Sequence, residues 1–67
     1  MEMKKLIAKY GLQSEVDYYE MIEESFADSQ LRQARAQFEV MDKGHQKEFV
    51  KSLITHTDRY EFFFNLL

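Results

Sequence analysis

Four acidic side chains, Asp17, Glu20, Glu24 and Asp28, recur at i, i+3, i+7 and i+11, a spacing that puts them in one stripe if the segment is helical. Carboxylates perform acid–base chemistry when burial pushes the pKa values of a pair apart. This row, with Glu23 beside it, instead reads as a solvent-facing side with nothing to desolvate it. A different chemistry suits it. Carboxylates along one rigid face imitate a phosphate track and complement a basic groove on another protein, as small inhibitors of nucleic-acid enzymes can do. The competing expectation is an ordinary solvated face partly neutralised by lysines of a neighbouring helix.

The other arrangements that carry catalysis do not form. A nucleophile needs a histidine oriented by a third group. Of Ser14, Ser25, Ser29 and Ser52, the residues Ser14 and Ser29 are better explained as helix caps. His56-Thr57-Asp58 reads as a cation at a helix C-terminus followed by an N-cap, not as the remains of a triad. No glutamate has a histidine three residues later, as a di-metal bundle requires. Cysteine is absent, and His45 and His56 are too isolated for a structural zinc site. There is no glycine-rich phosphate loop. The chain therefore reads as non-enzymatic, with no cofactor and no metal.

A second constellation has nucleic-acid chemistry. Gln30, Arg32, Gln33, Arg35 and Gln37 can reach base edges and phosphates, and they follow a tight Ala27-Asp28-Ser29 turn at helix-turn-helix spacing. Against a DNA-binding regulator stand the acidic preceding segment and the formal net charge of −3. It is the alternative reading.

The third feature is the tail, Tyr60-Glu61-Phe62-Phe63-Phe64-Asn65-Leu66-Leu67. At helical period Tyr60, Phe63, Phe64 and Leu67 share one face, expected to be core, while Phe62 and Leu66 form a second stripe. Exposed adjacent aromatic surface is costly unless covered, so Phe62 and Leu66 are the expected contacts of a two-fold homodimer.

The elements that must position these groups are all helical. There is no proline and no strand-like alternation of useful length. Apolar spacing predicts a first helix from about Glu2 to Tyr10, stopped by Gly11 as a left-handed C′ residue with Leu12 folding back. Ser14, with Asp17 three residues on, caps a second helix over about Glu15–Phe26, whose inner face would be Val16, Tyr19, Ile22 and Phe26 with Tyr18 on the flank. Asp28 or Ser29 caps a third over about Gln30–Lys43, with Leu31, Ala34, Phe38 and Met41 inward, Arg35 and Glu39 paired outside, and Gly44 ending it. A fourth covers about Gln46–His56, with Phe49, Val50, Leu53 and Ile54 inward. Asp58 starts a short fifth.

Sixty-seven residues make one domain near the lower limit for a self-sufficient core. Without disulfides, dense packing and oligomerisation are the remaining supports, and ten Phe and Tyr residues serve both. Absent cysteine suits a reducing cytoplasm. No run approaches the roughly 20 apolar residues of a membrane span, and the stretch after Met1-Glu2-Met3-Lys4-Lys5 is too short for a secretory signal.

The run Glu24-Ser25-Phe26, then Gln30-Leu31-Arg32-Gln33-Ala34-Arg35-Ala36-Gln37-Phe38 and Gln46-Lys47-Glu48-Phe49, resembles short uncharacterised helical proteins of bacteriophages and other bacterial mobile elements. The resemblance covers about the middle half of the chain and carries no site residue with it. It implies a bacterial or phage cytoplasmic setting and a trade in regulation or inhibition by protein contact. The expectation as a whole is an all-α bundle of four to five short helices, dimeric, that binds a basic host protein through its acidic face.

Overall fold

The helices of this chain start and stop where a side chain or a tight turn satisfies the backbone groups that helix ends leave free. A computed structural model describes residues 2–67, so that only Met1 of the charged amino-terminal run lies outside. It contains α1 (Met3–Lys9), α2 (Glu15–Ala27), α3 (Leu31–Glu39), α4 (Lys43–Ser52) and α5 (Thr57–Phe64), with no strand among the described residues. The radius of gyration, 10.9 Å, matches the roughly 11 Å expected of a compact chain of this length.

α1 ends as its sequence predicts. Gly11 takes φ +66°, its N–H donates to the Ala8 carbonyl, and the Leu12 N–H reaches back to the Ile7 carbonyl. This pair of bonds is the Schellman motif, and Leu12 completes it by packing against the core. Ser14 then caps α2, its Oγ accepting from the Asp17 N–H at 3.3 Å. Asp17 reciprocates one residue earlier, with Oδ2 accepting from the Gln13 N–H at 3.1 Å.

The end of α2 departs from expectation. Ser29 does not cap α3; it closes α2 with φ +62°, donating its N–H to the Phe26 carbonyl while the Gln30 N–H reaches the Ser25 carbonyl. The motif is the one at Gly11, built here on a residue with a Cβ. Gln30 becomes the N-cap of α3 and makes no side-chain capping bond.

The third helix is shorter than the expected Gln30–Lys43, and the fourth starts earlier than Gln46. α3 stops at Glu39, and Asp42 caps α4 by accepting from the His45 N–H, so Gly44 lies inside the first turn of α4 and terminates nothing. Periodicity runs through this break because the turn is only a few residues long. What ends α3 is a buried amide: Gln46 Nε2 donates to the carbonyls of Phe38, Glu39 and Met41 at 3.3, 3.3 and 2.9 Å. α5 likewise begins at Thr57, with His56 as its N-cap and Asp58 already in its first turn.

The core is built around Phe63. Its ring lies 5.0 Å from those of Phe49 and Phe62, 5.3 Å from Phe38 and 5.8 Å from Phe26, joining α2, α3, α4 and α5. Met3, Leu6, Tyr18, Ile22, Ala34, Met41, Val50 and Leu53 complete it. A fully buried side chain of this kind contributes about 1.5–3 kcal/mol. The inner face of α2 is rotated from the expected one. Tyr18, Ile22 and Ser25 are buried, while Val16 is 59% exposed. The rotation follows from polar contacts that hydrophobic spacing cannot register. The Tyr18 hydroxyl donates to the Gln37 carbonyl at 2.7 Å, and Ser25 Oγ donates to Gln37 Oε1 at 3.0 Å. Leu31 and Ile54, also expected inward, are exposed.

Candidate functional site

α2 is the longest helix, and it carries the acidic row on an outer face. Glu20, Glu24 and Asp28 are exposed and Asp17 is half-buried. The residues beside the row are spoken for. Glu15 pairs with His45, and Glu23 pairs with Arg59 of α5 at 3.5 Å. None of Asp17, Glu20, Glu24 and Asp28 forms an ion pair among the described residues. No lysine among the described residues comes within ion-pair distance of the row.

The row also runs the wrong way for the helix that bears it. Glu15 and Asp17 in the first turn favour the positive end of the dipole, but Glu24 and Asp28 stand at the negative end, where no basic residue accompanies them.

The α3 constellation is dispersed by the fold. Gln37 is buried, its amide oxygen taking the Ser25 hydroxyl proton, so it cannot meet a base edge. Gln33 Nε2 donates to Ser25 Oγ at 3.1 Å. Arg35 Nε lies 3.3 Å from Glu39 Oε2 in an exposed i,i+4 pair. Gln30 and Arg32 are exposed without such partners among the described residues. Five side chains aligned in the sequence thus become two free ones, two committed ones and one buried one.

At the tail the two stripes exchange roles in part. Phe62 and Leu66 are half-buried against the chain's own core, with Phe62 5.3 Å from Phe26 in an edge-on contact. Phe63 is buried as expected. Phe64, expected in the core, is 53% exposed, its ring stacked 5.5 Å from that of Tyr60, and Leu67 is 41% exposed. The surplus apolar surface is present, but it is Phe64 and Leu67 that carry it.

A further cluster escaped the sequence reading. A cleft of about 580 Å³ opens at the amino-terminal ends of α1, α2 and α4, lined by Glu2, Met3, Lys4, Ile7, Glu15, Asp42 and His45. His45 bridges two carboxylates there. Nδ1 lies 2.5 Å from Asp42 Oδ1, and Nε2 lies 2.9 Å from Glu15 Oε1. The bonds to Glu15 and then to Asp42 raise the His45 pKa above its ordinary value, against partial burial, and the ring in turn holds the Asp42 carboxyl below the usual range. Asp42 and His45 are an i,i+3 pair, visible in the sequence; Glu15 is thirty residues away. Nearby Tyr19 has a buried hydroxyl with no hydrogen-bond partner among the described residues. Burial, and then the charges of Glu48, Glu15 and Asp42, push its pKa up to about 12. No group of three or more His, Cys, Asp or Glu among the described residues is placed to hold a metal ion.

The fold and these surfaces define a small all-α protein of five short helices, none of them long and apolar enough, among the described residues, to cross a membrane. The chain matches no protein-family model, no curated protein and no solved structure.

Proposed function

We propose that this protein is a non-catalytic interaction module that presents the α2 row Asp17, Glu20, Glu24 and Asp28 to a basic surface on another protein. The supporting observation is that these four carboxylates lack ion-pair partners among the described residues while Glu15 and Glu23 beside them have theirs. A cationic groove shaped for a phosphate backbone is the natural complement. With the resemblance to short proteins of phages and mobile elements, this points to a modulator or inhibitor of a host nucleic-acid-handling or defence protein in the cytoplasm.

The test is affinity capture from a bacterial lysate, with a Glu20→Gln, Glu24→Gln, Asp28→Asn variant as control. These three exposed positions support no core contact, so the variant should fold. A specific protein retained by the wild-type chain, released by salt and lost by the variant is the expected result. Identical capture by both chains would overturn the reading. Self-association belongs to the same proposal, because exposed Phe64 and Leu67 are most simply covered by a second copy about a two-fold axis.

A further inference from the structure

We propose that His45 is a proton-operated tie that fastens the start of α2 to the start of α4, and that loss of its proton releases the tie and loosens the cleft between them. The proposal stands on the geometry of one ring. Both imidazole nitrogens face carboxylate oxygens, Nδ1 towards Asp42 and Nε2 towards Glu15. A carboxylate only accepts, and a neutral imidazole carries a single N–H. The two contacts can therefore be satisfied together only by the imidazolium. On deprotonation one nitrogen presents a lone pair to a carboxylate, and one contact must break.

Which contact breaks follows from the chain. Asp42 is bound locally, since its other oxygen also takes the His45 N–H as the cap of α4. The Asp42–ring bond spans three residues, whereas the Glu15 bond joins elements thirty residues apart and has no such local support. The long-range bond is the one that gives way, and the α4 cap persists. Glu15 on α2 and Asp42 before α4 favour the cation, and Glu2 before α1 and Lys4 in its first turn line the same cleft with opposite signs. The positive end of the α4 dipole, into whose first turn the ring is built, opposes it.

The sign is fixed by linkage. A histidine whose folded pKa exceeds its unfolded value contributes stability that is complete below about 6.5 and is lost as pH rises through the folded midpoint. Asp42 does the reverse, its contribution being lost as pH falls through its lowered midpoint. The tie therefore holds from the weakly acidic range up to His45 deprotonation, and the start of α2 is freed above it. The acidic row begins two residues beyond Glu15, so partner binding and cleft opening are coupled only through the first turn of α2.

The experiment is a pH titration of the full chain by NMR, reading the His45 ring and the protection of the Tyr18 to Met21 amides, for the wild type, His45→Gln and Glu15→Gln. The expected results are a His45 midpoint above about 6.5 that falls in Glu15→Gln. Protection of those amides, corrected for intrinsic exchange, should fall between pH 6 and 8.5 in the wild type. It should stay flat in His45→Gln. A midpoint at or below 6.5, or wild-type protection independent of pH, overturns the proposal. The wild-type titration decides the matter even if a variant does not fold, and it is independent of whether any partner is found.

Discussion

The Tyr18 hydroxyl of α2 donates to the Gln37 carbonyl of α3 at 2.7 Å inside the core. The Met41 N–H turns instead to the Phe38 carbonyl, and so the Gln37 carbonyl, near the end of α3, is satisfied from another helix. Together with Gln46 this bond decides where α3 stops. Removing the hydroxyl in Tyr18→Phe leaves a buried carbonyl without its side-chain donor, at a cost of about 1–3 kcal/mol. Urea unfolding should show that loss with little change in the denaturant slope.

The same phenol sets an alkaline limit. Burial, and then the neighbouring Tyr10, push the Tyr18 pKa up to about 12, and Tyr19 is raised to about 12 as well. An acid whose folded pKa is raised stabilises the fold fully below the unfolded value near 10, and that contribution is lost as pH rises towards 12. Thermal midpoints should fall steeply over that interval in the wild type. The fall should be shallower in Tyr18→Phe when each chain is compared with its own midpoint at pH 8.

Gly11 and Ser29 occupy equivalent places at φ +66° and +62°. A side chain in this conformation costs roughly 1–2 kcal/mol relative to the right-handed region, partly offset in glycine by the entropy of the unfolded chain. Ser29→Gly should therefore stabilise by about 0.5–1 kcal/mol. Gly11→Ala should destabilise by about 1 kcal/mol through the backbone alone, because nothing lies within 4 Å of the added methyl. Opposite shifts of the two thermal midpoints are the expected readout.

Phe63 touches four other rings, whereas Phe64 contacts Tyr60 at the surface. Phe63→Ala should cost about 3–5 kcal/mol, most of the stability that a chain of this size possesses, and abolish the cooperative transition. Phe64→Asp should leave folding intact and shift sedimentation towards the single chain. Dimers of unchanged stability in Phe64→Asp would place self-association elsewhere.

Neutralising Glu24 and Asp28 should separate partner binding from stability. Both stand at the unfavourable end of α2. Glu24→Gln, Asp28→Asn should gain about 0.3–1 kcal/mol in thermal unfolding at low salt while weakening capture of a basic partner. A loss of stability instead would mean that the two carboxylates hold the fold together.

What the order of residues determined by itself was whatever acts over three or four positions. The all-helical character, the Gly11 stop, the Ser14–Asp17 cap and the Arg35–Glu39 pair are all local, and each was legible because helical period and capping depend on neighbours along the chain. The acidic row was legible for the same reason. The exposure of Val16, the burial of Gln37, the early end of α3 at Glu39 and the exchange of Phe62 with Phe64 were decided by tertiary contacts. Hydrophobic counting treats Ser25, Gln37 and Gln46 as surface residues, yet these three hydrogen-bond one another or the end of α3 in the interior and set the rotation of the helices around them. The Glu15 half of the His45 bridge could not be foreseen, because that carboxylate stands thirty residues away and only the tertiary fold brings it to the ring that Asp42 holds locally.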